Sequence, residues 1–95
     1  MKLIKNAQVG TFESSDIMIL VQPAAKDSGR DIELNSNVQL EYGDEILKNI
    51  HEVLDTYEIA DVKMMATDKG ALNHTIKARV EAAVKRALDM QEGTL

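Results

Sequence analysis

The sequence predicts an α+β two-layer sandwich, a four-stranded, mostly antiparallel sheet with two helices on one face in the order βββαβα. Three observations predict it. Two short apolar runs and a long alternating run occupy the first part of the chain, two stripes at the 3.6-residue helical period follow, and a fourth strand-like run lies between those stripes. With 95 residues, 44% hydrophobic content, one proline and five glycines, the chain is read as a single domain spanning 1–95. A chain of this length hides only roughly 60–65% of its unfolded surface, which supports one modest core and places function on the surface.

Gln8–Phe12 and Ile17–Val21 are the first two strands. The second is rich in β-branched residues and apolar on both faces, so it is predicted to be central. Between them, Glu13, Ser14 and Ser15 followed by Asp16 have the length of a hairpin loop, which puts Ser14 at an exposed hairpin tip. Pro23 to Arg30 gathers turn residues and is read as a second hairpin loop. From Asp31 to Tyr42, Ile32, Leu34, Val38, Leu40 and Tyr42 alternate with polar residues, the pattern of a long half-buried strand. A helix from about Ser36 competes, because Val38, Tyr42 and Ile46 are spaced by four, but it strands Leu40 on another face and encloses Gly43.

Asp44 after Gly43 is suited to accept from the free amides of a helix start. Ile46, Leu47, Ile50, Val53, Leu54 and Tyr57 form the apolar stripe of that helix. Val62, Met64 and Ala66 alternate within Ala60–Thr67, the fourth strand, expected parallel to the third through a right-handed crossover. The last helix runs from about Ala71 to Asp89 with Leu72, Ile76, Val80, Ala83, Val84 and Ala87 as its stripe, and the tail after Met90 is expected to fray.

Charge and composition exclude several functions. Sixteen acidic against eleven basic residues give a net charge of −5, the wrong sign for nucleic-acid binding. The longest apolar run, Ile17 to Val21, falls far short of the ~20 residues of a membrane-spanning helix, and Met1–Asn6 lacks the apolar stretch of a signal peptide. A cytoplasmic protein with no membrane partner is expected. There is no cysteine, hence no disulfide and no thiol nucleophile. His51 and His74 stand alone with no ligand partners at metal spacing, and no phosphate-cradling glycine motif occurs. Lys48/Glu52, Lys77/Glu81 and Glu81/Lys85 have the four-residue spacing of solvated helix pairs. Arg79 and Arg86, two turns apart on the last helix, could meet acidic groups or a phosphate of a partner, or serve only as surface cations.

The serine turn is what remains. No histidine lies near Ser14 in sequence, and Glu13 and Asp16 offer no oxyanion donor, so a serine-hydrolase reading is poor. A hydroxyl displayed on a loop suits being a substrate, although Ser and Asp are also ordinary turn residues. Residue chemistry by itself stops at a small acidic α+β domain.

Gly10-Thr11-Phe12-Glu13-Ser14-Ser15-Asp16-Ile17-Met18, Tyr42-Gly43-Asp44, Asp68-Lys69-Gly70-Ala71-Leu72 and Ala78-Arg79-Val80-Glu81-Ala82 resemble the acyl carrier protein family of citrate lyase, its gamma subunit, over essentially the whole chain. Phe12 departs from the leucine common there. The resemblance implies a non-catalytic carrier whose Ser14 bears phosphoribosyl dephospho-coenzyme A through a phosphodiester, with Ser15 bypassed. It implies as partners a prosthetic-group transferase, an alpha subunit that exchanges acetyl for citrate on the arm, and a beta subunit that cleaves the citryl thioester to oxaloacetate in citrate fermentation. A chain without cysteine suits that role, because the thiol then comes from the prosthetic group. The carrier subunit of malonate decarboxylase and an adaptor domain without any prosthetic group are the competing readings.

Overall fold

Apolar side chains recur at every second residue of Ile17–Gln22 (β2) and Val62–Asp68 (β4), and both segments form sheet interior. The computed structural model describes residues 1–89; the expectation for the tail after Met90 lies outside them. Besides β2 and β4, the elements are β1 (Ala7–Val9), β3 (Arg30–Ser36), α1 (Gln39–Thr56) and α2 (Asn73–Ala87), so the order is βββαβα as predicted. The sheet order is β1-β2-β4-β3, with β1/β2 and β2/β4 antiparallel and β3/β4 parallel.

The helices cover one face. Ile17, Ile19 and Val21 of β2 and Val62, Met64 and Ala66 of β4 are buried beneath Ile46, Ile50, Val53 and Leu54 of α1 and Ile76, Val80, Ala83, Val84 and Ala87 of α2. Leu3 and Ile59 complete this core from outside the regular elements. On the opposite face Met18 and Leu20 are half-buried and Lys63 and Met65 are exposed. Polar contacts join the helices: Asn49 Nδ2 donates to Asn73 Oδ1 at 2.9 Å, and Lys77 pairs with Glu52 at 2.8 Å. Lys77 thus pairs across the helices rather than with Glu81, which instead accepts from the Tyr57 hydroxyl at 2.6 Å and meets Lys85 at 3.6 Å.

Two sequence expectations are corrected. Pro23 to Arg30 does not close a hairpin, because β4 occupies the slot between β2 and β3. The seven residues 23–29 have the reach, at about 3.3 Å each, to cross two strand spacings of about 4.8 Å. Their far end is fastened to the start of β4, where Gly29 N donates to Asp61 Oδ1 at 2.8 Å and Gly29 O accepts from Val62 N at 3.1 Å. Arg30 secures the neighbouring corner through the Ile59 carbonyl at 2.8 Å, Asp55 at 2.9 Å and His51 Nδ1 at 3.0 Å.

The second correction is the end of β3. The strand stops at Ser36 and the helix begins at Gln39, not at Asp44, so the Val38–Tyr42–Ile46 spacing prevails over the alternation. Ser36 Oγ accepts from Val38 N at 3.1 Å, while Gln39 Oε1 accepts from Ser36 N at 3.2 Å. These two bonds brace the corner between strand and helix, and the helix starts about one turn early with Val38 as its N-cap residue. Gly43 then lies buried within α1, and Leu40 is fully solvated at 101% relative exposure. Smaller shifts affect β1, which ends at Val9 rather than Phe12, and α2, which spans Asn73–Ala87 and leaves Leu72 outside the core.

Leu54→Ala should cost about 2–5 kcal/mol through cavity formation, whereas Leu40→Ala should stay within about 0.5 kcal/mol. Urea denaturation of the two variants checks this. Equal losses would restore Leu40 to the core and the long strand with it.

Candidate functional site

β1 and β2 are joined by residues 10–16, and this connection is held by both main chain and side chains. Gly10 opens it with φ +99, and a Cβ there would stand 1.9 Å from the Ile17 carbonyl oxygen, so only glycine lets the two strands approach. Asp16 N donates to Glu13 O at 3.2 Å, closing a four-residue turn over Glu13-Ser14-Ser15-Asp16. Ser15 takes the left-handed position of that turn with φ 66, a conformation costing a non-glycine residue about 1 kcal/mol. The structure holds it there: Ser15 N donates to Lys69 O at 2.8 Å and Lys69 N donates to Asp16 O at 2.9 Å.

Asp16 is the side-chain anchor. Its carboxylate receives a bidentate pair from Arg79, Nε to Oδ1 and Nη2 to Oδ2, both at 3.0 Å. The Thr11 hydroxyl donates to Oδ2 at 2.7 Å, and Ile17 N to Oδ1 at 2.7 Å. The Arg79 hydrogen bonds foremost, with those from Thr11 and Ile17 and against the cost of burial, pull the Asp16 carboxyl down from 3.8 to about 2. Thr11 Oγ1 also accepts from Glu13 N at 3.2 Å, which stiffens the approach to the turn.

Within this frame Ser14 is exposed, as its position in the sequence predicts, and its hydroxyl has no hydrogen-bond partner among the described residues. The neighbouring residues supply structure while the Ser14 side chain is left out. A group joined to its oxygen would break no contact of the protein, so the position fits a bulky covalent attachment. Cysteine-free, the chain holds no thiol that would make such a group redundant.

Arg79 is thereby explained: its carboxylate lies within the chain, at Asp16, and not on a partner. Arg86 stays exposed but also finds its partner within the chain, donating to Gln8 O at 3.2 Å. His51 is half-buried against Arg30 and His74 is exposed; among the described residues no group of His, Asp or Glu could hold a metal ion. No helix among them is long and apolar enough to cross a membrane.

The sequence marked Asp68 as part of a motif but did not disclose its structural role. It ends β4 with only 1% relative exposure, accepts from the Ser36 hydroxyl at 2.7 Å through Oδ2 and from Ala71 N at 3.0 Å through Oδ1, and fixes the loop that supports the serine turn. Beside it an open groove of about 370 Å³ lies between the start of α1 and the β4–α2 loop, with Val38, Tyr42, Ile46, Ala71, Leu72 and Ile76 as its apolar walls.

The structure thus offers an exposed Ser14 hydroxyl, without a hydrogen-bond partner among the described residues, on a turn whose main chain is pinned by Lys69. The family model for the malonate decarboxylase delta subunit (MdcD), an acyl carrier protein family, matches residues 4–87. The citrate lyase acyl carrier protein of Latilactobacillus sakei is 46% identical over 97% of this chain and 89% of its own, and that of Edwardsiella ictaluri 36% identical over 95% and 91%. The chain belongs to the acyl carrier family that includes the citrate lyase acyl carrier proteins, whose members are carriers and not catalytic subunits. The fold is shared with a chain of a Pseudomonas malonate decarboxylase hetero-tetramer in complex with malonate, at a TM-score of 0.71, 16% identity and 92% coverage of both chains.

The folded Asp16 ionises below its ordinary value, so the stability it contributes is complete above about pH 5 and is lost as pH falls from about 4 to about 2. Arg79 is 39% exposed, which discounts the contribution to about 1–2 kcal/mol at pH 7. Asp16→Asn should therefore be less stable by that amount at pH 7, and the gap to the parent chain should narrow to about half by pH 3. Denaturant titrations at pH 7, 5, 4 and 3 measure it; a constant gap would remove the ion pair as its source.

Proposed function

We infer that this chain is the acyl carrier subunit of citrate lyase, with Ser14 carrying a phosphodiester-linked phosphoribosyl dephospho-coenzyme A. The observation that supports Ser14 is its exposed, unpartnered hydroxyl on a turn held by the Lys69 main chain and by the Arg79–Asp16 pair. Citrate lyase is favoured by relatives of that name at 36–46% identity over at least 95% of this chain. When bound, the group supplies the thiol that the chain lacks and on which acetyl and citryl groups ride as thioesters.

The chain's own contribution is mechanical. Arg79, Asp16 and the Lys69 main chain hold the base of the arm, so the arm's reach is measured from a fixed point. Tethering raises the local concentration of the acyl group at the alpha-subunit acyl transferase and the beta-subunit citryl lyase, and a prosthetic-group transferase must first reach the same oxygen. Ser15 is a poorer acceptor, because its main chain is committed to Lys69 and its left-handed geometry is part of the turn. Carriage by malonate decarboxylase is the second reading, favoured by the description of the matching family model.

Intact and peptide mass spectrometry of the chain from its own host, grown on citrate, should show the added group on Ser14. Ser14→Ala should remain unmodified yet melt with the parent to within about 0.5 kcal/mol, and Ser15→Ala should still be loaded. An unmodified serine in a host with active transferase would sink the carrier assignment. Turnover of malonate but not citrate by the assembled complex would transfer it to malonate decarboxylase.

A further inference from the structure

β2 begins, and β3 and β4 end, at the same end of the sheet, where Ile17, Asp68 and Ser36 are register partners. Three segments therefore emerge side by side there: the serine turn, the start of α1 and the β4–α2 loop. Of the seven large apolar side chains that are exposed among the described residues, four belong to these segments: Phe12, Leu40, Tyr42 and Leu72. Phe12 is 62% exposed two residues before Ser14, and Leu72 is 63% exposed in the loop that hydrogen-bonds the serine turn. Tyr42 and Leu72 form the lip of the 370 Å³ groove. Such a concentration is costly for a free surface and marks a place where another molecule sits.

Charge indicates which kind of molecule. Glu13 on the serine turn and Glu41 and Glu45 at the start of α1 are exposed around the apolar residues, whereas Lys69 is the exposed cation of the β4–α2 loop. A second copy of the chain would bring the same acidic rim against this one. An anionic arm would meet it likewise. A protein with an apolar projection bordered by Lys and Arg is complementary on both counts.

We propose that the Ser14 end of the molecule, with Phe12, Tyr42 and Leu72 around the groove and Glu13, Glu41 and Glu45 at its rim, is the docking surface for the basic-rimmed enzyme that modifies Ser14. This rests on the reading of Ser14 as the loaded residue. The enzyme must cover this end to reach the oxygen, and it buries on approach the apolar residues that the isolated chain leaves in water. An apolar side chain of the enzyme enters the groove while its cations face the glutamates. Recognition is thus spread over three segments far apart in sequence, and a peptide of the serine turn is a poor substitute for the folded chain.

The test uses the Ser14→Ala chain, which binds without being modified. Isotope-labelled and titrated with the prosthetic-group transferase, it should show amide shifts concentrated at residues 11–15, 38–46 and 69–73. Leu72→Lys, at an exposed position, should keep the parent melting curve and weaken binding about tenfold, and Glu41→Lys should weaken it and flatten its salt dependence. Shifts concentrated instead at Met18, Leu20 and Met65 on the outer sheet face, or undiminished binding of Leu72→Lys, would overturn the proposal. So would self-association of the chain through this end, or groove shifts caused by loading alone with none from the transferase. Loading of the parent chain is read separately by mass: modification at Ser14 with unaffected Leu72→Lys binding removes only the docking surface. An unmodified Ser14 in the parent chain removes the carrier reading, and with it this enzyme as the occupant of the surface.

Discussion

The site depends on a single buried carboxyl group. Asp68, at the last position of the central strand, joins the end of β3 through Ser36 and the start of the β4–α2 loop through Ala71. A carboxyl group withdrawn from water is tolerated only when its oxygens are satisfied, and both are. Its neighbour Lys69 then offers a main-chain carbonyl and amide at a fixed place, and the serine turn closes on them through Ser15 and Asp16. Without Asp68 the loop, the turn and the beginning of α1 would lose their common reference. Arg79 adds a second, independent hold from α2, so the turn is fastened to the sheet and to the helical layer at once.

This arrangement separates the parts that bear strain from the part left free. Gly10 and Ser15 take up the unusual backbone angles, Thr11 and Asp16 take up the hydrogen bonds, and the Ser14 oxygen takes part in neither. A substituent on that oxygen therefore changes the solvent side of the turn and leaves its supports intact. The same fold appears at 16% identity in a malonate decarboxylase chain, which shows how little of the sequence the scaffold itself requires.

Much of the scaffold was legible because burial imposes a period. The stripes of both helices, the interior position of β2 and the exposure of Ser14 follow from which residues are apolar and how far apart they stand. The end of β3 was harder, because Val38, Leu40 and Tyr42 satisfy the strand period while Val38, Tyr42 and Ile46 satisfy the helical one. The deciding signal was polar: Ser36 accepts from the Val38 amide and donates its own amide to the Gln39 side chain, which turns the chain from strand into helix. The insertion of β4 between β2 and β3 could not be read from any local pattern, since strand order is settled by pairing at a distance. The same holds for Arg79 and Asp16, whose ion pair joins residues 63 positions apart.

That strand order also governs how the chain folds. Among the described strands β4 alone is paired on both sides with partners made much earlier, and each of its pairings with β3 spans 32 positions. Until residue 62 and those after it are present, β2 and β3 have no common partner, and the slot between them stands open with apolar Ile17, Ile19 and Val21 unprotected. Closing that slot costs loop entropy before it returns contacts, which makes folding slower than in a helical bundle of this size and leaves an incomplete chain prone to association through its strand edges. The polypeptide emerging from a ribosome must therefore wait for β4, which ends at Asp68, before its sheet can form.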